Sequence, residues 1–235
     1  MLEIRGLNAH YGLSHVLHGV DLTLAPGECV GLFGRNGVGK TTILRAIAGW
    51  IKQTTGVISY NGRSIAGLAP NQICRLGIGF VPEDRRIFPG LTVDENLALG
   101  LMQTTGRSRR QQTAAIERVY DQFPRLRQRQ RQMGTTLSGG EQQMLAIGRV
   151  LVGDQKLLLI DEPTEGLAPQ IVEEIFAIMQ ALKKDGHTIL LVEQNVKRAF
   201  GITDRLCAVE RGRIIFEGDG RLEQDRQALL ARIAV

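Results

Sequence analysis

The segment that most constrains this 235-residue chain is rich in glycine and runs from Gly34 to Thr41. It reads Gly-Arg-Asn-Gly-Val-Gly-Lys-Thr and fits the pattern G-x-x-x-x-G-K-[ST]. A short apolar run, Cys29–Phe33, precedes it and predicts a buried strand. In this context the backbone amides are expected to surround a phosphate chain, with Lys40 contributing charge and Thr41 a hydroxyl for Mg²⁺. A plain glycine turn would explain the glycines but not the Lys-Thr pair beside them.

A second chemical signal lies where another apolar run ends in two carboxylates. Leu157–Ile160 predicts a buried strand, and Asp161 and Glu162 follow it directly. Carboxylates at the end of a buried strand are costly unless a cation meets them, and Mg²⁺ suits oxygen ligands. Asp161 is therefore expected to hold the metal, and Glu162 to orient or deprotonate an attacking water.

The segment Leu137–Gln143 has two interpretations. Ser138 and Glu141 have the spacing of a capping box, which would make the segment an ordinary helix start. However, the intervening Gly139 and Gly140 are unfavourable helix residues, and they would let a ligand approach the backbone amides closely. The second interpretation, which we favour, is a second anion-binding site far along the chain from the first.

The remaining patterns predict an α/β core with an antiparallel sheet at the N-terminal end. A helix is predicted from Gly39 to about Gly49, another from Pro169 to about Lys184, and a hairpin over Val209–Phe216. The predicted strands are Leu2–Leu7, Val16–Leu24, Cys29–Phe33, Val57–Tyr60, Ile78–Val81, Leu157–Asp161 and Thr188–Val192.

Residues from about 90 to 152 are expected to form a helical insertion in that core. Thr92 and Glu95 have capping-box spacing, which predicts the start of a helix. One apolar helix face is predicted from residues spaced i, i+3, i+4 and i+7, namely Ile116, Val119, Tyr120 and Phe123.

The charge and cysteine content leave one alternative open. The net charge of +5 comes largely from arginines between 107 and 131, which could form a nucleic-acid site. A spacing of two residues scatters side chains around a helix, and few aromatic residues accompany them, so a solvated face is favoured. The three cysteines are far apart and are expected to be free thiols, mostly buried. No run approaches a membrane span or a signal peptide, so a cytoplasmic location is expected.

With these motifs in order, the chain resembles the ATP-binding subunits of ABC transporters over about residues 2–218. The resemblance implies a P-loop NTPase core in which the segment at 137–143 is the family signature and Glu165–Ala168 is a dimer-contact loop. It also implies that Tyr11, with Val16, stacks on adenine. The nucleotide-binding residues expected on this basis are Tyr11, Val16, Gly34, Arg35, Asn36, Gly37, Val38, Gly39, Lys40, Thr41, Thr42, Ser138, Gly139, Gly140 and Glu141.

Two positions depart from the usual family pattern. A glutamine that touches the metal and senses the membrane subunit is replaced by Glu83, and a histidine that contacts the γ-phosphate is replaced by Gln194. The resemblance therefore implies Thr41, Glu83 and Asp161 at the metal, and Lys40, Glu162 and Gln194 in catalysis. With these residues, the chain resembles the ATPase subunits of branched-chain amino-acid importers and of their urea- and amide-importing relatives.

The resemblance implies one ATP-binding domain over residues 1–235, with ATP and Mg²⁺ as cofactors. Two such domains would pair head to tail, as a homodimer or heterodimer, with each ATP between one phosphate loop and the other signature. Permease subunits would be direct partners, a substrate-binding protein an indirect one, and the site of action the inner face of the cell membrane. The alternatives are a urea or amide importer, a soluble ABC ATPase acting on ribosomes or DNA, and an unrelated phosphate-loop kinase. The kinase would leave residues 137–143 without a role.

Overall fold

The computed structural model describes residues 1–104 and 106–233. The strands are β1 (Leu2–Tyr11), β2 (Ser14–Leu24), β3 (Cys29–Phe33), β4 (Gln53–Tyr60), β5 (Arg63–Ser64), β6 (Ile78–Val81), β7 (Leu157–Asp161), β8 (Thr188–Val192), β9 (Arg205–Glu210) and β10 (Arg213–Asp219). The helices are α1 (Lys40–Ile47), α2 (Pro70–Arg75), α3 (Val93–Leu99), α4 (Arg109–Gln122), α5 (Pro124–Gln128), α6 (Gly139–Leu151), α7 (Pro169–Lys184), α8 (Val196–Ala199) and α9 (Glu223–Ile233).

The strands form two sheets, which confirms the predicted α/β architecture with an antiparallel N-terminal sheet. The smaller sheet has the order β2-β1-β4-β5, and its strands pair antiparallel. The larger sheet has the order β10-β9-β3-β8-β7-β6 and is parallel except for the β9–β10 hairpin. The carboxyl ends of β3, β8 and β7 therefore lie side by side at one edge, where such sheets place ligands.

The central strands β3, β7 and β8 send alternate side chains into two separate cores. Leu158 and Ile160 of β7 pack in the core that also holds residues of α6 and α7. Leu157 and Leu159 pack on the opposite face, together with residues of α1 and of the N-terminal sheet. Burying both faces explains why these strands are apolar throughout. Each buried leucine contributes about 1.5–3 kcal/mol, so the two cores fix the strand ends that carry the site.

Three strands are longer than the sequence pattern predicted. β1 continues past Leu7 to Tyr11, β2 begins at Ser14, and β4 begins at Gln53. These extensions are polar, but they pair with one another, since His10 lies opposite both His15 and Gln53. Backbone pairing in a half-exposed sheet does not require apolar side chains, so hydrophobicity alone missed them. Helix α1 spans Lys40–Ile47 and is therefore shorter than the predicted helix from Gly39 to about Gly49.

The segment between β6 and β7 is largely helical. The predicted capping box at the start of α3 is confirmed, since Glu95 N–H donates to Thr92 Oγ1 and Thr92 N–H to the Glu95 carboxylate. Val119 and Tyr120 are buried on the inner face of α4 as predicted. Phe123 is also buried but lies one residue beyond α4, where Pro124 begins α5. The rigid ring of Pro124 disfavours helical backbone at the preceding residue, which explains that break.

The basic residues near 125–129 are engaged in ion pairs. The N–O distances are 2.8 Å for Arg125–Glu174, 2.8 Å for Arg127–Glu117, 2.9 Å for Arg127–Asp121 and 2.7 Å for Arg129–Glu141. These pairs favour the interpretation of a solvated structural face, although the absence of a nucleic-acid partner stays a prediction. Within the residues described above, no helix has both the length and the apolar character needed to cross a membrane.

The thiols have the environment that their spacing predicted. All three are free, with Cys29 and Cys207 buried and Cys74 partly buried. Burial raises the pKa of the Cys29 and Cys207 thiols to about 12. Both are therefore protonated and unreactive near neutral pH.

Candidate functional site

The glycine-rich loop joins the end of β3 to the start of α1, and two of its positions require glycine. Gly34 has φ +149°, and a β-carbon there would lie 2.3 Å from the carbonyl oxygen of Val209. Gly39 has φ +111°, and a β-carbon there would lie 3.0 Å from Cδ2 of Leu17. Packing against the rest of the protein thus fixes the loop, so its backbone amides are held in place before any ligand arrives.

Lys40 is buried, with only 4% of the residue exposed. Its Nζ donates to the carbonyl oxygens of Gly34 at 2.8 Å and Arg35 at 2.9 Å, and lies 3.8 Å from Oε1 of Glu162. Burial lowers the pKa of the ammonium, while the nearby Glu162 and Asp161 oppose that shift. A buried ammonium held mainly by two carbonyl dipoles is well prepared to exchange them for a phosphate.

Asp161 and Thr41 are in contact although they lie far apart along the chain. The Thr41 hydroxyl donates to Oδ1 of Asp161 at 2.9 Å. Burial raises the pKa of the Asp161 carboxyl to about 6, although the Thr41 hydroxyl acts in the opposite direction. A hydroxyl and a carboxylate are hard oxygen donors that fit Mg²⁺. Among the described residues there is no group of three or more His, Cys, Asp or Glu that could hold a metal, so waters and phosphate oxygens would complete the shell.

Glu162 links the phosphate loop to the end of β8. Its backbone has φ +43°, which is uncommon for a residue with a side chain, and its N–H donates to the carbonyl of Val192 at 2.9 Å. Its carboxylate accepts a hydrogen bond from Nε2 of Gln194 and lies near Lys40. Gln194 is exposed, yet its amide is directed at Glu162, so it does more than end a strand.

Glu193, which the sequence analysis passed over, holds this turn in place. It is 2% exposed, and burial raises the pKa of its carboxyl. Its Oε1 accepts from the backbone N–H groups of Gln194 at 2.8 Å and Asn195 at 2.9 Å, and its Oε2 accepts from the Thr164 hydroxyl at 2.9 Å. The sequence pattern that could have identified Glu193 is a carboxylate directly after an apolar strand. The same pattern identified Asp161.

Four of the catalytic and metal candidates line a cleft of about 280 Å³, whereas Asp161 and Gln194 do not line it. It is lined by Asn36, Gly37, Gly39, Lys40, Thr41, Thr42, Glu83, Glu162 and Glu165. Glu83 is exposed, two residues beyond β6, so it reaches the cleft from the side opposite the phosphate loop. Gln194 lines an adjoining cavity, which shares Glu162 and Glu165 with the first.

The two adenine candidates lie on the β1–β2 hairpin. Val16 is close to the phosphate loop, since a β-carbon on Gly39 would lie 3.7 Å from the Val16 carbonyl oxygen. Tyr11 pairs with Ser14 near the hairpin turn and is 45% exposed. An exposed aromatic ring near a phosphate-binding loop is available to stack on a base.

The signature segment does not line this cleft. Its geometry changes the explanation for one of its two glycines. Ser138 and Glu141 form a true capping box, with Ser138 N–H donating to the Glu141 carboxylate at 2.9 Å. Gly140 is buried, and a β-carbon there would lie 2.3 Å from Cγ2 of Ile171. Packing of α6 against α7 therefore requires glycine at 140, whatever binds nearby. The capping interpretation was correct, and a ligand-binding role for the segment stays a prediction.

Comparison with known proteins places the chain in a family. The profile of the family described as ABC transporter matches residues 17–165. The chain is 44% identical to the high-affinity branched-chain amino acid transport ATP-binding protein BraG of Pseudomonas aeruginosa, over 94% of this chain and 93% of that protein. It is 38% identical to the probable branched-chain amino acid transport ATP-binding protein LivF of Archaeoglobus fulgidus, with 93% and 92% covered.

Solved structures agree with this placement. A dimeric ATP-binding cassette in a post-hydrolysis state, bound to ADP and phosphate, superposes with a TM-score of 0.82. It is 26% identical, and the match covers 94% of this chain and 100% of that one. From its sequence, its fold and these relatives, the chain belongs to the ABC transporter family.

Proposed function

We propose that this chain binds and hydrolyses ATP to drive import of branched-chain amino acids through an ABC transporter. The observation that carries the proposal is the meeting of three separate segments: Lys40 and Glu162 line one cleft with the phosphate loop, and the Gln194 amide donates to the Glu162 carboxylate. The membership of this chain in the ABC transporter family supports ATP hydrolysis coupled to transport. Two relatives named for branched-chain amino acid transport support the substrate class.

The roles of the residues follow from the contacts in the cleft. Lys40 would transfer its hydrogen bonds from the two loop carbonyls to the β- and γ-phosphates. Thr41 and Asp161 would hold Mg²⁺, with Glu83 at the rim, and the metal when bound would supply charge that offsets the phosphates. Glu162 would orient the attacking water and accept its proton, while the Gln194 amide holds the Glu162 carboxylate in position.

The signature at 137–143 supports a head-to-tail dimer, because it does not line the cleft of its own chain. A second copy, or a related subunit, would bring its signature to this cleft. We propose that residues 1–235 act as one such ATP-binding domain, with the segment near 90–152 as a helical subdomain. The domain would bind permease subunits at the inner face of the membrane, and the substrate-binding protein only indirectly.

Reconstitution tests this function directly. The chain, its permease partners and the binding protein would be placed in proteoliposomes, and uptake of labelled leucine, urea and acetamide would be measured with and without internal ATP and Mg²⁺. ATP-dependent leucine uptake is the expected result. Uptake of only urea or acetamide would change the substrate class. Failure to co-purify with any permease, combined with ATPase activity stimulated by ribosomes or DNA, would overturn the transport role.

Substitutions at Gln194 test its neutral hydrogen bond. Gln194→Ala is expected to lower the ATPase rate by about tenfold to a hundredfold, because a hydrogen bond to a charged group is lost. Gln194→His should recover activity and acquire a pH dependence between about 6 and 7, since imidazole titrates there and an amide does not. Steady-state rates from about pH 5.5 to 8.5 decide the matter.

The control for Gln194 is its neighbour. Asn195→Ala removes an exposed amide side chain that makes no capping hydrogen bond at the start of α8, so it should retain the parent rate. Full activity in Gln194→Ala would show that the contact with Glu162 is not needed for hydrolysis.

A magnesium titration tests Glu83. Glu83→Gln should raise the Mg²⁺ concentration for half-maximal ATPase activity by about fivefold or less, because a carboxylate at a solvated rim strengthens the negative field only modestly. Asp84→Asn is the matched control, since Asp84 pairs with Arg86 at 3.0 Å and does not line the cleft. An unchanged or lower half-maximal concentration in Glu83→Gln would remove Glu83 from the metal site.

A further inference from the structure

The loop that carries Glu83 also carries two arginines in an unusual backbone conformation. Arg85 has φ +55° and Arg86 has φ +46°, values that residues with side chains rarely adopt. The guanidinium of Arg149 donates to both of their carbonyl oxygens, at 3.1 Å to Arg85 and 2.8 Å to Arg86. These two hydrogen bonds, the Arg149 clamp, hold Arg85 and Arg86 in a backbone conformation that they would otherwise disfavour. The clamp therefore fixes the direction of both arginine side chains.

The two neighbouring arginines have different surroundings. Arg86 is exposed, forms an ion pair with Asp84 at 3.0 Å and stacks 4.3 Å from the centre of the Trp50 ring. Arg85 is directed at the signature, since a β-carbon on Gly139 would lie 3.1 Å from its Nη1. Its Nη2 donates to the carbonyl of Glu165 at 3.3 Å. The Arg85 guanidinium thus lies between the signature and the loop after β7.

Arg85 has a positive charge that its own chain does not neutralise. Across residues 1–104 and 106–233, no carboxylate forms an ion pair with Arg85, and its Nε is buried without a hydrogen-bond partner. The guanidinium also lies beside the N-terminus of α6, where the helix dipole is positive and a cation is unfavourable. An anion bound at the terminal nitrogens of Arg85, beside the start of α6, would neutralise this charge.

We propose that Arg85 binds the phosphate chain of the ATP held by a second copy of this chain. The inference rests on the proposed function, because it requires the signature of one subunit to face the phosphate loop of the other. It adds to that site a cation that arrives together with the signature. It also gives the loop two contacts, since Glu83 faces the cleft of its own subunit while Arg85 faces the ATP of its partner.

ATP-driven dimerisation tests the role of Arg85, in a Glu162→Gln background that should keep ATP intact. The ATP concentration for half-maximal dimer formation would be measured by size-exclusion chromatography. Arg85→Ala should raise it by about tenfold or more, since a charge-assisted hydrogen bond to phosphate is lost. Binding of labelled ADP to the monomer should be unchanged, because Arg85 lies outside the cleft of its own chain.

Three further variants separate charge from structure. Arg85→Gln can keep the hydrogen bond to the Glu165 carbonyl without the charge, so it should lose as much as Arg85→Ala, whereas Arg85→Lys should retain most of the dimerisation. Arg86→Ala removes the neighbouring charge and should match the parent. Equal dimerisation in Arg85→Ala and the parent, an equal loss in Arg86→Ala, or full recovery in Arg85→Gln would overturn the proposal. A Glu162→Gln parent that never dimerises with ATP would instead refute the dimeric arrangement on which it rests.

Discussion

Replacing Lys40 by alanine is expected to lower ATP hydrolysis at least about a hundredfold and to weaken nucleotide binding, because preorganised charge at a phosphate is among the largest catalytic contributions. Lys40 is the single Lys or Arg among the described residues that line the cleft. No neighbour can therefore replace its ammonium. ATPase rates and nucleotide titrations of the purified variant would measure both effects.

The variant Lys40→Met separates charge from packing, since it keeps most of the buried side-chain volume and should lose as much activity as Lys40→Ala. Lys52→Ala is the matched control, because Lys52 is an exposed lysine a few residues beyond α1. Thermal unfolding of all three checks that they remain folded. Hydrolysis by Lys40→Met at the parent rate would show that the charge of Lys40 is not required.

Apolar runs predicted the central strands well, for a simple physical reason. The apolar runs predicted β3, β6, β7 and β8 with the ends that the structure shows. Each is buried on both faces, so almost every residue must be apolar, and polar residues mark where it stops. The strands of the N-terminal sheet carry exposed polar residues along their length, so polar residues do not mark their ends, and there the predicted strands were too short.

The site was predictable only in part, because sequence spacing does not reveal strand order. The motifs identified Lys40, Asp161 and Glu162 separately, and a parallel sheet brings strand ends to one edge. That β8 lies between β3 and β7, and so brings Gln194 to Glu162, is a property of the topology. Arg85 left no sequence signal, since its direction depends on the clamp formed by Arg149.

The glycines of the signature show how one residue can serve two constraints. From the sequence alone, Gly139 and Gly140 were expected to let a ligand approach the backbone. In the structure Gly140 is required by the contact between α6 and Ile171, while Gly139 faces Arg85 and Leu167. Close packing and ligand binding both favour glycine, so the sequence does not distinguish them. At position 140 the clash of a β-carbon with Ile171 shows that packing requires the glycine.

Replacing Glu162 by glutamine should stop hydrolysis but preserve ATP binding, whereas replacing Lys40 should weaken both. Glutamine keeps the shape of the side chain and can still hydrogen-bond to Gln194, but it cannot accept a proton from water. Hydrolysis should therefore fall about a hundredfold to ten-thousandfold while ATP binding persists. A subunit that binds ATP without consuming it should accumulate as a dimer.

Size-exclusion chromatography with ATP and with ADP would show that dimer, since it should form with ATP alone. The control is Glu173→Gln, which removes an exposed carboxylate that pairs with Arg198 near the same cavity as Glu162 and Gln194. It should turn over ATP like the parent and show no trapped dimer, because its carboxylate is paired away from the phosphate loop. If Glu162→Gln hydrolysed ATP at the parent rate, the proton acceptor would have to be another carboxylate. Glu165 would then be the next to test, since it lines the same cleft and Glu162 raises the pKa of its carboxyl.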